Sequence, residues 1–164
     1  MIDNTTEYTN GILKDYILFT TKKTRKITFI SVAVIIICSI IELIFGEYLM
    51  AGVFFAVGLF FFISNFYIVK LAVKKSVAMP KIKNVYEFLP DKLNITTFSN
   101  NEEVSKNSIA LKTIFKVVEN KGCLYLYLNK SQALLVEIKN FKDINDKELV
   151  KRYIEDNKTI KTAK

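Results

Sequence analysis

The stretch IELIFGEYLMAG (residues 41–52) lies where two long apolar runs almost meet. The first run covers residues 27–45 and holds one charged residue, and the second covers residues 49–69 and holds none. Each run is as long as the roughly 20 apolar residues that a membrane-spanning helix needs. One continuous helix would be about twice as long as the hydrocarbon layer is thick, so we expect a turn at residues 46–48. The sequence predicts a two-helix transmembrane hairpin over residues 27–69.

The residues between the runs suit the tip of a hairpin. Gly46 tolerates the backbone angles of a tight reversal, Glu47 prefers water, and Tyr48 belongs to a residue type that settles at the membrane interface. Glu42 is the only ionisable residue inside a predicted span, and such acids are candidates for proton or ion transfer. Because it lies three residues from the outer end of its run, we expect its carboxylate to reach interfacial water; the transfer role stays as the alternative.

Basic residues flank the other ends of the two runs. Lys22, Lys23, Arg25 and Lys26 precede the first run, and Lys70, Lys74 and Lys75 follow the second. Lys and Arg beside a span are retained in the cytoplasm, so we expect both termini to be cytoplasmic and the tip to lie outside. These seven residues are also candidate contacts to lipid headgroups. A signal peptide is the alternative for the first run, but its apolar core would be shorter and a small-residue cleavage site would follow.

Four residues are candidates for packing inside the hairpin. Gly52 and Ala56 are four residues apart, an arrangement of small residues that lets membrane helices approach closely, although such residues are common in membrane helices. Ser31 and Asn65 are each four residues inside the cytoplasmic end of their span and should therefore lie at similar depth. We predict a hydrogen bond between them across the hairpin, worth on the order of 1 kcal/mol.

The rest of the chain divides into three parts. Residues 1–26 begin as a polar stretch and continue as a short amphipathic helix, which either lies on the membrane surface or leads in against the soluble domain. Residues 70–83 form a basic connector that ends around Pro80, a residue that breaks helices. Residues 84–164 provide one small cytoplasmic domain. The apolar face of the lead-in helix consists of Ile12, Leu13, Tyr16 and Ile17.

Apolar residues in the third part alternate with a period of two, which is typical of half-buried strands. The strand faces are Tyr86 and Phe88; Leu93, Ile95 and Thr97; Phe115, Val117 and Glu119; Cys123, Tyr125 and Tyr127 against Leu124, Leu126 and Leu128; and Leu134, Val136 and Ile138. Turn-forming residues separate them at 89–91, 99–101, 120–122 and 129–131. This spacing predicts about six short strands in an antiparallel meander.

A helix is predicted after Phe141. Leu149, Val150, Tyr153 and Ile154 share one face, and Asn145 followed by Glu148 resembles a capping box. A helix that plugs a small antiparallel barrel would bury both apolar faces. The predicted fold class is thus a membrane helical hairpin plus a mainly β, α+β domain capped by its C-terminal helix.

The composition excludes several classes of function. The net charge of +8 is spread along the chain, and all basic residues except Arg25 and Arg152 are lysines, which suit anionic lipid surfaces better than base-specific contacts. We therefore predict no nucleic-acid partner. Cys38 lies in a span and Cys123 in a strand, and the chain has no histidine, so no disulfide, metal site or cofactor is predicted.

Three segments carry a resemblance to a known family: LKDYILF (residues 13–19), VYEFLPDKLNITT (residues 85–97) and SIALKTIFKVVENKGCLYLYLNKSQALLVEIKNF (residues 108–141). In this order around a two-span hairpin they resemble the YcxB-like family of bacterial membrane proteins, and the similarity covers nearly the whole chain. The resemblance implies a pleckstrin-homology-like barrel after the hairpin, in the bacterial cytoplasmic membrane, and implies no established activity. The proline that commonly precedes the lysine of this family is missing between Ile138 and Lys139.

The favoured function is a non-catalytic, membrane-anchored interaction module for a protein partner or for self-association. One alternative is a small immunity or stress-response membrane protein, and another is a binder of anionic lipid headgroups. No small-molecule substrate is predicted, because no nucleophile motif, Gly-rich phosphate loop or metal-ligand cluster occurs. The neighbouring residues Glu102 and Glu103 are the closest candidate for a catalytic pair of carboxylates. A channel subunit would need more polar residues along its membrane spans than this sequence has. The headgroup alternative would use Lys112, Lys116, Lys121 and Lys130.

Overall fold

The computed structural model describes residues 1–77 and 81–159, which divide into two units. One unit is a helical hairpin made of α1 (Asn10–Ile44) and α2 (Tyr48–Val77). The other is a β domain formed by residues 1–9 together with the chain from residue 81 onward. The hairpin is thus inserted between two parts of the β domain.

The turn of the hairpin is built by Gly46. Its φ of 82° lies in the left-handed region that glycine adopts without strain. The Gly46 N–H donates to the carbonyl oxygen of Leu43 at 3.2 Å, and the Glu47 N–H donates to that of Glu42 at 3.0 Å. These two bonds form a Schellman motif, which satisfies the last carbonyls of α1. The chain therefore reverses at the glycine that the sequence analysis placed at the tip.

Both helices are long and apolar enough to cross a bilayer. Only 11% of the most apolar window of each helix is buried, whereas a core helix of a soluble protein buries most of its apolar side chains. The exposed surface of Ile, Leu, Val and Phe side chains therefore suits hydrocarbon rather than water.

The helices extend beyond the predicted spans. α1 begins at Asn10, so the amphipathic lead-in is continuous with the first span instead of being a separate helix. α2 continues to Val77, so most of the predicted connector over residues 70–83 is helical. The predicted break at Pro80 lies outside the described residues.

The β domain contains two antiparallel sheets. The first has the order β1-β2-β3-β4, with β1 at Ile2–Glu7, β2 at Ile82–Phe88, β3 at Lys92–Ser99 and β4 at Glu102–Ala110. The second has the order β5-β6-β7, with β5 at Lys116–Asn120, β6 at Cys123–Tyr127 and β7 at Ala133–Glu137. Short 3-10 helices cover Leu111–Thr113 and Ile138–Asn140, and α3 covers Asp146–Thr159.

The strand at Ile2–Glu7 corrects the sequence analysis, which assigned no strand to residues 1–26. β1 pairs with β2, although the whole helical hairpin lies between the two strands in the sequence. Ile2 is opposite Phe88, and Glu7 is opposite Lys83. β4 was also not located, because few of its side chains are buried on either face. The described domain therefore has seven strands rather than about six.

Most of the predicted strand faces supply the core of the domain, but the predicted face of Phe115, Val117 and Glu119 contributes no buried residue, and Phe115 is 62% exposed. Tyr86, Phe88, Leu93 and Ile95 are buried, and α3 adds Val150 and Ile154. Two predicted hairpin turns have left-handed residues in their central positions, Asn100 and Asn101 in one and Lys121 and Gly122 in the other. Two successive left-handed residues match the twist of antiparallel strands.

The start of α3 differs from the predicted capping box. The carbonyl oxygen of Asn145 accepts the N–H groups of Glu148 and Leu149, so Asn145 lies at the N-cap as expected. The Asn145 N–H donates to Asp143 Oδ1 at 2.8 Å, however, and the Glu148 carboxylate contacts Lys151. The predicted capping box is therefore wrong, because the Asn145 N–H and the Glu148 carboxylate bond to other partners and not to each other.

Candidate functional site

Buried side chains, rather than a ladder of backbone bonds, join β1 to the edge of β7. Thr6 Oγ1 accepts the Glu137 N–H at 2.9 Å and donates to Asn4 Oδ1 at 2.8 Å. Asn4 Nδ2 donates to the carbonyl oxygen of Glu137 at 2.9 Å. These contacts satisfy backbone groups that would otherwise be left unpaired at the edge of the second sheet.

A tyrosine pair continues this junction. The Tyr8 hydroxyl accepts the Leu135 N–H at 3.2 Å, and the Tyr86 hydroxyl donates to the Leu135 carbonyl oxygen at 3.1 Å. The two hydroxyl oxygens are 2.9 Å apart, and Asn84 Nδ2 donates to both. Burial, and then the nearby Tyr8, raise the pKa of Tyr86 well above its usual value. Tyr86 therefore stays protonated in the interior, and the hydrogen bonds of the two hydroxyls fix β1 and β2 against β7.

A groove with a volume of about 920 Å³ lies on the solvent side of this junction. The alternation of β1 places Thr5 and Glu7 on its exposed face, opposite the buried Asn4 and Thr6. Lys83 pairs with Glu7 on one side and with Phe98 of β3 on the other. The remaining lining residues come from the ends of β1, β2, β3 and β7: Thr9, Lys81, Asn100, Asn101, Glu137, Lys139 and Asn140.

The groove carries both signs of charge. Lys139 Nζ contacts Glu137 Oε1 at 2.8 Å, and this carboxylate raises the pKa of Lys139. Asn140 Nδ2 donates to the other oxygen of Glu137 at 3.1 Å and to the Thr5 carbonyl oxygen at 2.6 Å. Three lysines and two glutamates line the groove together with three asparagines, whose amides both donate and accept hydrogen bonds. Such a lining can hold a polar chain of mixed charge.

The predicted hydrogen bond across the hairpin is wrong. Ser31 Oγ is exposed and donates to the Ile27 carbonyl oxygen of its own helix at 3.1 Å. The Asn65 amide nitrogen is buried without a hydrogen-bond partner in the part of the chain that the structure describes. A hydrogen bond that does join the helices runs from Ser39 Oγ to the Ala51 carbonyl oxygen at 2.8 Å. Similar depth in the membrane did not place Ser31 and Asn65 on facing sides of their helices.

The predicted small-residue pair does not form the contact between the two helices. Gly52 and Ala56 are both exposed, and a Cβ atom added at Gly52 would meet nothing within 4 Å. The helices approach closely at Gly58, because a Cβ atom there would lie 3.3 Å from Ile35 Cγ2.

The candidate headgroup residues all lie on α1 and α2, but they differ in exposure. Arg25 is half-buried, and its guanidinium carbon lies 5.8 Å from the centre of the Phe66 ring. The other six are exposed: Lys22, Lys23, Lys26, Lys70, Lys74 and Lys75. Arg25 therefore differs from the six lysines in being half-buried and in lying over an aromatic ring.

The four lysines of the headgroup alternative do not all lie at one end of the second sheet. Lys116 pairs with Tyr127 at one end of the β5–β6 hairpin, whereas Lys121 lies in the turn at its other end. Lys112 and Lys130 are exposed in separate segments, as are Glu102 and Glu103 at the start of β4.

Neither the cysteines nor the acids of the described chain assemble a metal centre. Cys38 and Cys123 lie in different units and form no disulfide. Glu42 is half-buried in the last turn of α1, where its carbonyl oxygen belongs to the turn motif. Among residues 1–77 and 81–159, no three His, Cys, Asp or Glu side chains form a group that could hold a metal ion.

The groove could not be predicted from the sequence, because its residues come from segments that are far apart in the chain. The burial of β1 alternates with a period of two, with Asn4 and Thr6 buried and Thr5 and Glu7 exposed. The buried Asn4 and Thr6 are polar, however, and hydrophobic periodicity does not detect polar residues that face a core.

Comparison with known proteins adds no relative: no protein-family model, curated protein or solved structure matches this chain. The resemblance to the YcxB-like family, and the pleckstrin-homology-like barrel that it implies, therefore stay predictions.

Proposed function

We propose that this chain is a non-catalytic, membrane-anchored binding module. In this proposal the hairpin spans the bacterial cytoplasmic membrane, and the β domain is a pleckstrin-homology-like module that binds a segment of a protein partner, or of a second copy, at the inner leaflet. The observation that carries the proposal is the groove of about 920 Å³ over the junction of β1, β2 and β7.

The connectivity of the chain supports two membrane spans with both ends on one side. β1 and β2 are paired neighbours in one sheet, yet the whole hairpin lies between them in the sequence. A folded domain cannot lie on two sides of a bilayer, so the hairpin must leave and return on the same side. The basic residues before α1 enters the predicted span and after α2 leaves it favour the cytoplasm.

The arrangement of the domain supports the pleckstrin-homology-like proposal. One antiparallel sheet of four strands is formed by β1, from before the hairpin, and by the three strands that follow it; a three-stranded antiparallel sheet and a C-terminal helix come next in the chain. The buried faces of both sheets and of α3 share one core. The family resemblance also implies such a barrel, placed after the hairpin, and β1 adds one strand from before the hairpin.

The groove favours a polypeptide over a phosphate or a small anion. Glu7 and Glu137 would repel an anion, and the Glu137 carboxylate already neutralises Lys139. An extended peptide presents alternating donors and acceptors, which asparagine amides can match, and Phe98 offers an apolar contact. A protein already held at the membrane also meets membrane-bound partners at a raised effective concentration.

Site-directed photo-crosslinking tests this proposal in cells that make the full-length protein. A photoreactive phenylalanine analogue replaces Phe98 in the groove, and the same analogue replaces Phe115, which is 62% exposed and lies outside the groove, as the matched control. We expect an adduct of defined mass from position 98 alone, and we expect Lys81→Glu with Lys83→Glu to abolish it.

The mass of the adduct distinguishes a second copy from another protein. Equal adducts from positions 98 and 115 would mean that the groove is not the binding surface. The absence of any protein adduct from position 98 would contradict the proposed function.

A further inference from the structure

We propose that the hairpin itself contains a specific site for an anionic phospholipid, in a pocket of about 440 Å³ between α1 and α2. This inference rests on the proposed membrane anchoring but not on the groove of the β domain. Three cations line the pocket, Lys14, Arg25 and Lys70. Its other lining residues are apolar: Leu18, Phe66, Val69 and Val73.

The lining matches the two chemical parts of a phospholipid. Among the residues that line the pocket, none is acidic, so nothing there opposes a negative headgroup. Basic pockets between membrane helices on the cytoplasmic side suit the head groups of anionic lipids. Phe66 and Val69, which lie on the membrane side of Arg25 and Lys70, would contact the glycerol ester region and the start of an acyl chain. Free phosphate would gain nothing from these two side chains.

Arg25 is the best-defined element of the site. Its guanidinium group lies over the Phe66 ring, with 5.8 Å between the guanidinium carbon and the ring centre. A cation over an aromatic face is attracted by the ring, which restricts the side chain. The attraction to the ring does not use the N–H groups as hydrogen-bond donors to an oxygen, and this planar group binds phosphate oxygens in pairs.

The level of the pocket along the hairpin fits a headgroup. Arg25 lies two residues before the first predicted span, and Lys70 lies one residue after the second. Because Arg25 contacts Phe66, these parts of the antiparallel helices lie at the same level. The two cations therefore lie just outside the hydrocarbon layer, where the phosphates of the inner leaflet are found.

Titration with a short-chain lipid tests the site. The full-length protein, purified in a mild detergent and stripped of lipid, is titrated with dioctanoyl phosphatidylglycerol, and the dissociation constant is measured by calorimetry. We expect the double variant Arg25→Gln with Lys70→Gln to bind roughly tenfold more weakly. The matched control, Lys23→Gln with Lys75→Gln, loses the same charge from the same helices outside the pocket, and we expect a change of less than about twofold.

Further arms separate the site from general attraction. Arg25→Lys keeps the charge but loses the planar group, so we expect intermediate affinity; far-UV circular dichroism without lipid checks that each variant is folded. Equal weakening in the two double variants would overturn the site in favour of a diffuse charge effect. Equally tight binding of dioctanoyl phosphatidylcholine or of inorganic phosphate would overturn the assignment to an anionic phospholipid.

The crosslink from position 98 tests the groove separately, so the failure of one proposal is distinguishable from the failure of the other. A full-length protein that stays in solution without detergent would overturn the membrane anchoring and this lipid site together.

Discussion

At the scale of single residues, Tyr86 shows how one polar group can join two sheets. Its ring lies in the core, while its hydroxyl donates to the Leu135 carbonyl oxygen and accepts from Asn84. Burying a hydroxyl group costs free energy unless the group is hydrogen-bonded. When the hydroxyl is removed, its former partners stay buried without a hydrogen bond, which also costs free energy. The Tyr86 hydroxyl therefore contributes to the stability of the junction between the two sheets through its hydrogen bonds, in addition to the burial of the ring.

We predict that Tyr86→Phe lowers the free energy of unfolding of the β domain by about 1–3 kcal/mol, because the Leu135 carbonyl oxygen and one Asn84 N–H lose their partner. Urea unfolding of the full-length protein in mild detergent, followed by near-UV circular dichroism, measures the change. Tyr127→Phe is the control, and since Tyr127 is only half-buried we expect a change within about 0.5 kcal/mol. Equal effects of the two substitutions would contradict the role given to the Tyr86 hydroxyl.

Residue-level chemistry explains which parts of the fold the sequence predicts. Gly46 and the turn pair Asn100 and Asn101 fix left-handed backbone positions locally, so these reversals can be read without tertiary information. β1 could not be found in this way, because Asn4 and Thr6 are polar and their reason for burial is the edge of β7, more than 120 residues away. Long-range polar contacts of this kind leave no hydrophobic pattern.

At the scale of elements, the two helices of the hairpin contact each other at a glycine. A Cβ atom at Gly58 would lie 3.3 Å from Ile35 Cγ2, whereas one at Gly52 would meet nothing within 4 Å. We predict that Gly58→Leu destabilises the hairpin by about 1–3 kcal/mol through overpacking, while Gly52→Leu changes its stability by less than about 0.5 kcal/mol. Unfolding of the full-length protein with sodium dodecyl sulfate in mixed micelles measures both.

The reverse ranking, with Gly52→Leu more harmful than Gly58→Leu, would restore the small-residue pair that the sequence analysis favoured. Periodicity indicated that Gly52 and Ala56 share a face but not which face meets the other helix. That choice depends on the rotation of each helix about its axis, which hydropathy does not specify when nearly every position is apolar.

Another element, α3, is tied to β5 through Glu119. Its carboxylate contacts Lys151 at 2.9 Å and Lys147 at 3.2 Å, and these two lysines lower the pKa of Glu119. A lowered pKa in the folded state means that the contribution to stability is present above the ordinary pKa of glutamate. It is lost as the pH falls through the lowered value, because the carboxylate is then protonated.

We predict that Glu119→Gln destabilises the domain by less than about 1 kcal/mol at pH 7, since the pair is exposed to solvent. The difference from the unsubstituted protein should shrink as the pH falls below about 4 and should also shrink in high salt. Thermal unfolding followed by near-UV circular dichroism at a series of pH values measures it. A difference that stays constant from pH 7 to pH 3 would mean that packing, and not the carboxylate charge, links Glu119 to α3.

At the scale of the whole molecule, the β domain is completed by residues that lie on the other side of the hairpin in the sequence. β1 contributes a full strand to the first sheet and the side chains that satisfy the edge of β7. A chain that begins after the hairpin would lack both, which is why a deletion that keeps only residues 1–79 or only residues 80–164 does not isolate either unit. The β domain is isolated instead by removing the hairpin and joining the chain that precedes it to the chain that follows it.

The register shows that such a rejoined chain is feasible. Glu7 lies opposite Lys83, and the Tyr8 N–H donates to the Ile82 carbonyl oxygen at 2.8 Å, so the end of β1 and the start of β2 are already side by side. Loops of about two to five residues connect antiparallel strands in this position. We predict that residues 1–9, a four-residue Asn-Gly-containing loop and residues 81–164 form a soluble, folded domain.

Residues 81–164 alone should not fold cooperatively, because β2 then becomes an exposed edge and the polar groups at the edge of β7 lose their partners. Two-dimensional NMR spectra with dispersed amide signals, together with a cooperative urea transition, identify the folded form. Adding Thr6→Val and Asn4→Leu to the rejoined chain separates the two contributions of β1. These changes keep the strand but remove the side chains that bond to Glu137, so reduced stability with an intact sheet would locate the requirement in the polar junction. If residues 81–164 folded as well as the rejoined chain, β1 would be dispensable, and the insertion of the hairpin into the domain would have no energetic consequence.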